Sequence, residues 1–253
     1  MNAHLFYTGG NYAVLYKSAI ESNRYMRMGD TMTVQSAPAQ IISIHPGYSQ
    51  AKRLLDIVFT LLISPLILFV AAVVAVFIRL DSKGPILYRQ KRVGQNGVKF
   101  EMLKFRSMYV DNDDTVHREA IKQYINGATL NGDSDIPYKM ADDPRITRVG
   151  KFIRKTGIDE LPQFWNVLRG QMTLVGPRPP LPYEVDLYTL HDWLRLSGKP
   201  GLTGPWQVYG RSKVSFQKMI DMDIAYLQQQ SFWEDIKLIA LTLPVMLLGR
   251  GGA

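Results

Sequence analysis

The sequence contains no cysteine. That absence excludes a disulfide framework, a thiolate zinc site and a cysteine nucleophile, and leaves oxygen or imidazole as the ligands open to a metal. Histidine is scarce too. His4, His45, His117 and His191 are scattered along the chain, so spacing supports neither a catalytic triad nor a zinc cluster. Acidic residues are outnumbered, 22 Asp and Glu against 30 Lys and Arg, for a formal charge of +8. Such a balance suggests a nucleic-acid partner, but no base-reading motif is present and the positive charge gathers beside an apolar segment, so nucleic acid is not expected. The most telling absence is of charge itself: from Ile57 to Ile78, 22 consecutive residues carry none. That run is long enough to reach across a bilayer. It lies too far from Met1 for a cleaved signal peptide and is expected to persist as a membrane segment.

Two features argue against an ordinary span. Pro65 removes the hydrogen bond to the Leu61 carbonyl, a cost of roughly 3 kcal/mol in a helix interior, and Ser64 beside it can bond a carbonyl of the preceding turn. Positive charge also flanks both ends, Lys52 and Arg53 before, Arg79, Lys83, Arg89, Lys91 and Arg92 after, where a spanning helix shows a one-sided bias. The pattern reads as a re-entrant helix over residues 51–83 that enters, breaks at Ser64-Pro65 and returns to the anionic cytoplasmic face.

Residues 1–50 read as a partly disordered N-terminal extension, with weak helical periodicity from Tyr12 to Ile20. Residues 84–253 read as a cytosolic domain. Ile86–Val93 and Val98–Phe105, joined through Asn96-Gly97, form a hairpin signal. Residues 111–140 read as a helix-containing loop. Thr147–Lys155 and Asp159–Leu168 read as short helices, the second closed by Arg169-Gly170. The Pro/Gly stretches at 176–180 and 200–205 read as loops of fixed shape. Trp233–Leu248 is too short to span and is expected to pack on the core or lie in the membrane interface. The fold class is mainly α, of α+β type: a re-entrant helix, short amphipathic helices and a small hairpin around a site at the membrane surface.

Chemistry concentrates at Asp159-Glu160. Carboxylates opening a helix are favoured by its dipole and prove little alone. Here they follow Arg145, Arg148, Lys151, Arg154 and Lys155, so dipole and cations together are expected to hold Asp159 ionised and lower its pKa. An ionised, oriented Asp is a competent nucleophile toward phosphorus, and the cations around it can hold a phosphate. Arg178, between two prolines, offers a planar two-point grip on phosphate. Mg²⁺, with Asp159 and Glu160 as ligands, would complete such a site. Lys104 and Arg106 alternate beside Phe105, either as phosphate contacts or as a solvated strand edge.

The ordered segments Lys52-Arg53-Leu54-Leu55-Asp56, Ser64-Pro65, Gln90–Gly94, Lys104–Met108, Asp143–Thr147, Asp159-Glu160-Leu161-Pro162-Gln163, Val175–Pro179 and Pro200–Gly204 resemble the bacterial sugar transferases, the monotopic polyprenyl-phosphate phosphoglycosyl transferases. The resemblance covers about residues 50–250. It implies a UDP-sugar as donor, undecaprenyl phosphate as acceptor, Mg²⁺ as cofactor and the bacterial inner membrane as location, with the catalytic domain on the cytoplasmic face. By the same resemblance Asp159 attacks the β-phosphate and expels UMP, Glu160 completes the dyad, Arg154 binds phosphate, and Pro177 and Arg178 lie near the nucleotide, with Arg145 in a neighbouring motif. The chain looks like the minimal form of the family with a 50-residue extension.

Two positions depart from the family pattern, Gly157 for a frequent serine or threonine and Gln171 for a usual Asp. Rival readings are a membrane phosphatase with an aspartyl-phosphate intermediate and a non-catalytic scaffold for polysaccharide assembly. The identity of the sugar and the oligomeric state, a homodimer among the options, stay open.

Overall fold

A computed structural model of the chain describes residues 6–8, 11–13, 46–109, 115–125, 143, 145–210 and 214–247. The expected disorder of the extension, most of its helical periodicity, and residues 111–114 and 126–140 of the loop lie outside them. Tyr12 itself falls in a strand, β2 (Asn11–Ala13), antiparallel to β1 (Phe6–Thr8).

The dominant element is α1, Pro46–Asp81, 36 residues with Pro65 inside. At 1.5 Å per residue it measures about 54 Å along its axis. It begins before the expected residue 51, and no non-helical residue interrupts it at Ser64-Pro65; the proline is accommodated within one helix. Ser64 Oγ donates to the Leu61 carbonyl at 2.8 Å, the acceptor that the proline leaves without its amide partner. Burial along α1 is uneven. Asp56, Thr60, Val74 and Ile78 are buried, whereas no residue from Leu61 to Phe69 is; Leu62 is 77% exposed and Phe69 70%.

Both flanks of α1 dock on the rest of the protein. Near its start, Arg53 donates to the carbonyls of Val167 and Leu168 at 2.6 and 2.7 Å, and Asp56 accepts from Thr173 Oγ1 and Leu174 N, both at 2.9 Å. Lys52 pairs with buried Asp235 at 2.6 Å, and Tyr48 and Tyr226 donate to the same carboxylate. Near its end, Val74 and Ile78 pack with Phe105 and Ile153, and Asp81 accepts from Val149 N at 3.0 Å.

The chain then forms the expected hairpin, β3 (Leu87–Val93) antiparallel to β4 (Lys99–Phe105), with Leu87 opposite Phe105 and Val93 opposite Lys99. Its turn carries Asn96 and Gly97 at positive φ, +56° and +78°, which these two residue types tolerate best. Helix α2 (Thr115–Ile125) is the helical part of the expected loop. Helix α3 (Arg148–Thr156) is capped by Thr147, whose hydroxyl accepts from Gly150 N at 2.9 Å. The expected helix from Asp159 is shorter: a 3₁₀ turn at Ile158–Glu160 precedes α4 (Gln163–Leu168), closed by Gly170 at φ +75°.

A strand just before the first Pro/Gly stretch, β5 (Thr173–Val175), pairs in parallel with one inside the second, β6 (Gly201–Thr203). Their short runs, apolar and bounded by turn residues, carry no periodicity that would mark a strand. Two one-turn helices, α5 (Pro182–Val185) and α6 (Leu190–Trp193), lie between them, and α7 (Phe216–Gln229) and α8 (Phe232–Leu247) end the described chain. The main core joins Met102, Val167, Met172, Leu174, Val175, Leu227 and Leu238, with Phe59 of α1 packed against it. A second cluster holds Trp206 against Phe216, Met219, Ile220 and Ile224 of α7.

Candidate active site

The Asp159-Glu160 turn is placed by glycine. Helix α3 ends at Gly157, which is in the left-handed region at φ 72°, ψ 6° and sends its N–H back to the Arg154 carbonyl. A residue with a Cβ is strained there, which accounts physically for glycine where serine or threonine is frequent. The chain reverses at this point, and the next two turns carry both carboxylates to β4.

Glu160 meets two cations there. Lys104 Nζ lies 3.3 Å and Arg178 Nη1 3.9 Å from the same oxygen, Glu160 Oε1, and all three side chains are largely shielded from solvent. Burial opposes the charge of Glu160, but Lys104 and Arg178 outweigh it and hold the carboxyl below the usual range. Asp159 goes the other way. Burial raises its pKa, and the neighbouring Glu160 adds to that, while Lys104, Arg154 and Arg178 oppose; the result is about 6. The expectation that dipole and cations depress Asp159 is therefore corrected: desolvation wins because the cations sit closer to Glu160. Both groups are carboxylates at pH 7, and Asp159 is the more basic.

Arg178 is held by its backbone. The Pro177 carbonyl accepts from Gly201 N at 2.9 Å, the Arg178 carbonyl from Arg195 at 3.1 Å, the Pro179 carbonyl from Arg92 at 2.8 Å and the Pro180 carbonyl from Val93 N at 2.9 Å. Each carbonyl from Pro177 to Pro180 thus has a donor. Pro177 is buried and serves the loop's shape. Gly201 is required for the clamp, since a Cβ there would lie 2.1 Å from Gly176 N. Arg195 is itself fixed by Asp223 at 2.5 Å and Tyr188 at 2.9 Å. The guanidinium of Arg178 lies 6.0 Å from the centre of the Trp206 ring, a cation–π distance. Arg92 and Arg195 are buried, and sequence reasoning did not single out Arg195 because a lone arginine far from the dyad carries no signal of its own.

Lys104, Glu160, Arg178 and Pro179 line a small open cleft with Met102, Gln163, Gly201, Leu202 and Gln207. Of the residues expected to bind substrate, Lys104 and Arg178 come together with the dyad, and Arg154 acts on Asp159 electrostatically. Arg106 does not come with them. Its buried guanidinium donates to the carbonyls of Ser82 and Lys83 at 2.7 and 3.0 Å and to Ser82 Oγ at 2.9 Å, closing the C-terminal end of α1. Strand β4 ends at Phe105, so Arg106 follows the turn rather than the strand; being buried, it is not a solvated edge. Arg145 forks onto Asp143 at 2.7 to 3.0 Å and holds that carboxyl below its usual range, bracing the turn before α3.

Gln171 is a brace as well. Its Oε1 accepts from Asn166 Nδ2 at 2.8 Å, while Asn166 also bonds Glu101 O and Leu103 N of β4. Among the described residues no cluster of three or more His, Cys, Asp and Glu can hold a metal. Two adjacent carboxylates do fit Mg²⁺, a cation that takes most of its shell from phosphate and water and only one or two ligands from protein; both cation contacts of Glu160 fall on one oxygen, Oε1.

The site has counterparts elsewhere. The chain is 45% identical over 206 residues to the galactosyl transferase CpsE of Streptococcus agalactiae, covering 79% of this chain and 43% of that protein. It is 38% identical over 218 residues to the exopolysaccharide production protein ExoY of Sinorhizobium fredii, covering 85% and 93%. It is 37% identical over 206 residues to the undecaprenyl-phosphate galactose phosphotransferase of Salmonella typhimurium, covering 80% and 42%. The chain thus spans less than half the length of the first and third and nearly all of the second. The bacterial sugar transferase model matches residues 47–249, from the first turn of α1 through the dyad and the clamped arginine loop to α8, and the chain belongs to that family.

Proposed function

We propose that this protein transfers a phosphosugar from a UDP-sugar to undecaprenyl phosphate through a covalent intermediate on Asp159. The observation that carries the reading is the divided dyad: a basic, half-buried Asp159 beside a Glu160 that is tied to Lys104 and Arg178. A carboxylate of pKa about 6 is ionised at neutral pH yet more nucleophilic than an exposed one. One Asp159 oxygen forms a bond to the β-phosphorus of the UDP-sugar as the bond to the bridging oxygen breaks, and UMP leaves with that oxygen. Lys104 and Arg178 bear on the charge that develops on the phosphoryl oxygens. In the second half, an oxygen of undecaprenyl phosphate attacks the same phosphorus and Asp159 departs as a carboxylate. Asp159 and Glu160 would hold Mg²⁺, which supplies charge neutralisation for the diphosphate when bound. The relatives named for galactosyl transfer and for undecaprenyl phosphate support this reading of substrates.

The lipid acceptor requires the cleft to stand at a membrane, and α1 supports re-entry. Its two flanks dock on one folded body through Arg53 and Asp56 at one end and Ile78 and Asp81 at the other, while the leucines and Phe69 of its apolar middle are exposed. A crossing helix would put its two flanks on opposite faces of a bilayer, where one folded body could not dock on both. UDP-sugars are cytoplasmic, so the body lies on the cytoplasmic face of the inner membrane. Trp233, 76% exposed, and Phe232, Ile236 and Leu241 on α8 suit the interface beside it.

The test is intact-mass spectrometry of solubilised protein after addition of a panel of UDP-sugars without lipid. A phosphosugar adduct on Asp159 is expected, released on adding undecaprenyl phosphate; discharge by water alone at a turnover rate points instead to the phosphatase. Asp159→Asn is expected to form no adduct and to melt no lower than wild type, because it removes a charge that burial disfavours. Wild-type turnover by Asp159→Asn would sink the assignment.

A further inference from the structure

Gln163 lines the cleft and is 3% exposed, yet its amide nitrogen, Nε2, has no hydrogen-bond partner. A buried, unpaired donor costs folding free energy. The cost is repaid where a ligand supplies the acceptor. Residues 158–168 run in right-handed helical conformation through the 3₁₀ turn, Leu161 and Pro162 into α4. Gln163 is four residues after Asp159 and three after Glu160, so the three side chains share a face.

The geometry points to Gln163 as a substrate-contacting residue that donates its amide N–H to a non-bridging oxygen of the phosphoryl group under attack by Asp159. The inference rests on the phosphosugar-transfer reading and adds a residue to it. Chemistry favours an amide at this place. The cleft already has two cations, Lys104 and Arg178, and both bear on the dyad. A neutral donor supports charge developing on phosphorus-bound oxygen without neutralising the attacking carboxylate. The terminal torsion of a glutamine side chain is broad and two-fold, so the N–H can turn into the cleft at little cost.

Gln163→Met keeps the volume and removes the donor. In single-turnover mass spectrometry with the UDP-sugar that labels wild type, adduct formation is expected to slow about 100-fold. The affinity for UMP, which lacks the transferred phosphoryl group, is expected to stay at the wild-type value, and the melting temperature to be no lower, because the donor removed is unpaired without ligand. Adduct formation at the wild-type rate overturns the inference, as does a parallel loss of UMP affinity or thermal stability, which marks a structural amide. Should Gln163→Met not fold, Gln163→Glu, the same in size, serves instead; it repels the phosphate and is expected to slow adduct formation at least as much, and a wild-type rate overturns the inference. The wild-type control separates the two readings: no adduct on wild type with any UDP-sugar refutes covalent transfer itself, whereas an adduct on wild type that the glutamine variants form equally fast refutes only the role of Gln163.

Discussion

Between Leu61 and Phe69 the long helix turns its leucines and phenylalanine outward, exposed among the described residues, whereas the cleft draws lysine, glutamate and arginine inward and shields them. Each region inverts what water alone would select. Burying one such apolar side chain is worth roughly 1.5 to 3 kcal/mol, so the uncovered middle of α1 is stable in lipid and not in water. The cleft keeps its charges by opposite means, pairing Glu160 with two cations and clamping the Arg178 loop carbonyl by carbonyl. The comparison teaches that the molecule separates anchoring from chemistry, and substitutions should affect one without the other.

The largest expected effect is all-or-none and falls on the anchor. Ser64→Ala with Pro65→Leu removes the proline and the serine that services its orphan carbonyl, and the segment, with its hydrogen-bond ladder complete, should cross the membrane. With Asn11→Cys as reporter, feasible because the chain has no cysteine, a membrane-impermeant thiol reagent applied from the periplasm should label the double variant and spare the chain with native Ser64-Pro65. Labelling of the latter refutes re-entry. In the cleft, Arg178→Lys should weaken UDP-sugar use by about 1 to 3 kcal/mol, since an ammonium keeps the charge but not the planar two-point grip; steady-state constants equal to wild type would make Arg178 structural. Its membrane extraction should not change.

Smallest is a shift in pH dependence. Asp159 loses its charge as pH falls through about 6, so adduct formation should decline on the acid side there. Lys104 favours the ionised form, and Lys104→Met therefore raises the Asp159 pKa and moves the acid limb upward, by up to about one pH unit. A limb that stays in place would show that Asp159 is not the titrating group.

The elements with a local signature were legible in advance. The hairpin around Asn96-Gly97, the threonine-capped α3, the serine service to Leu61 O and the acidic dyad each depend on residues within a few positions of one another. The β5–β6 pair was not legible, because its strands are three residues long and its partners lie 28 positions apart, Thr173 with Gly201 and Val175 with Thr203. Nor was the role of Arg195, which reaches the site through the carbonyl of Arg178. Arg106 misled for a related reason: two residues from Lys104 it shares a strand's alternation on paper, but the strand stops at Phe105.

By itself the sequence determined that an uncharged 22-residue segment is long and apolar enough to cross a membrane, that a proline must be accommodated within it, and that two carboxylates would stand together among cations; these follow from local composition and spacing. Only the tertiary structure decided which cations meet which carboxylate. Lys104 and Arg178 arrive from β4 and from the clamped loop at Glu160, so burial, which opposes the charge of both acids, is outweighed at Glu160 and prevails at Asp159. The proton affinities of two adjacent acids are therefore set in opposite directions, because desolvation and Coulomb attraction depend on distances of a few ångströms between residues that are remote in the chain.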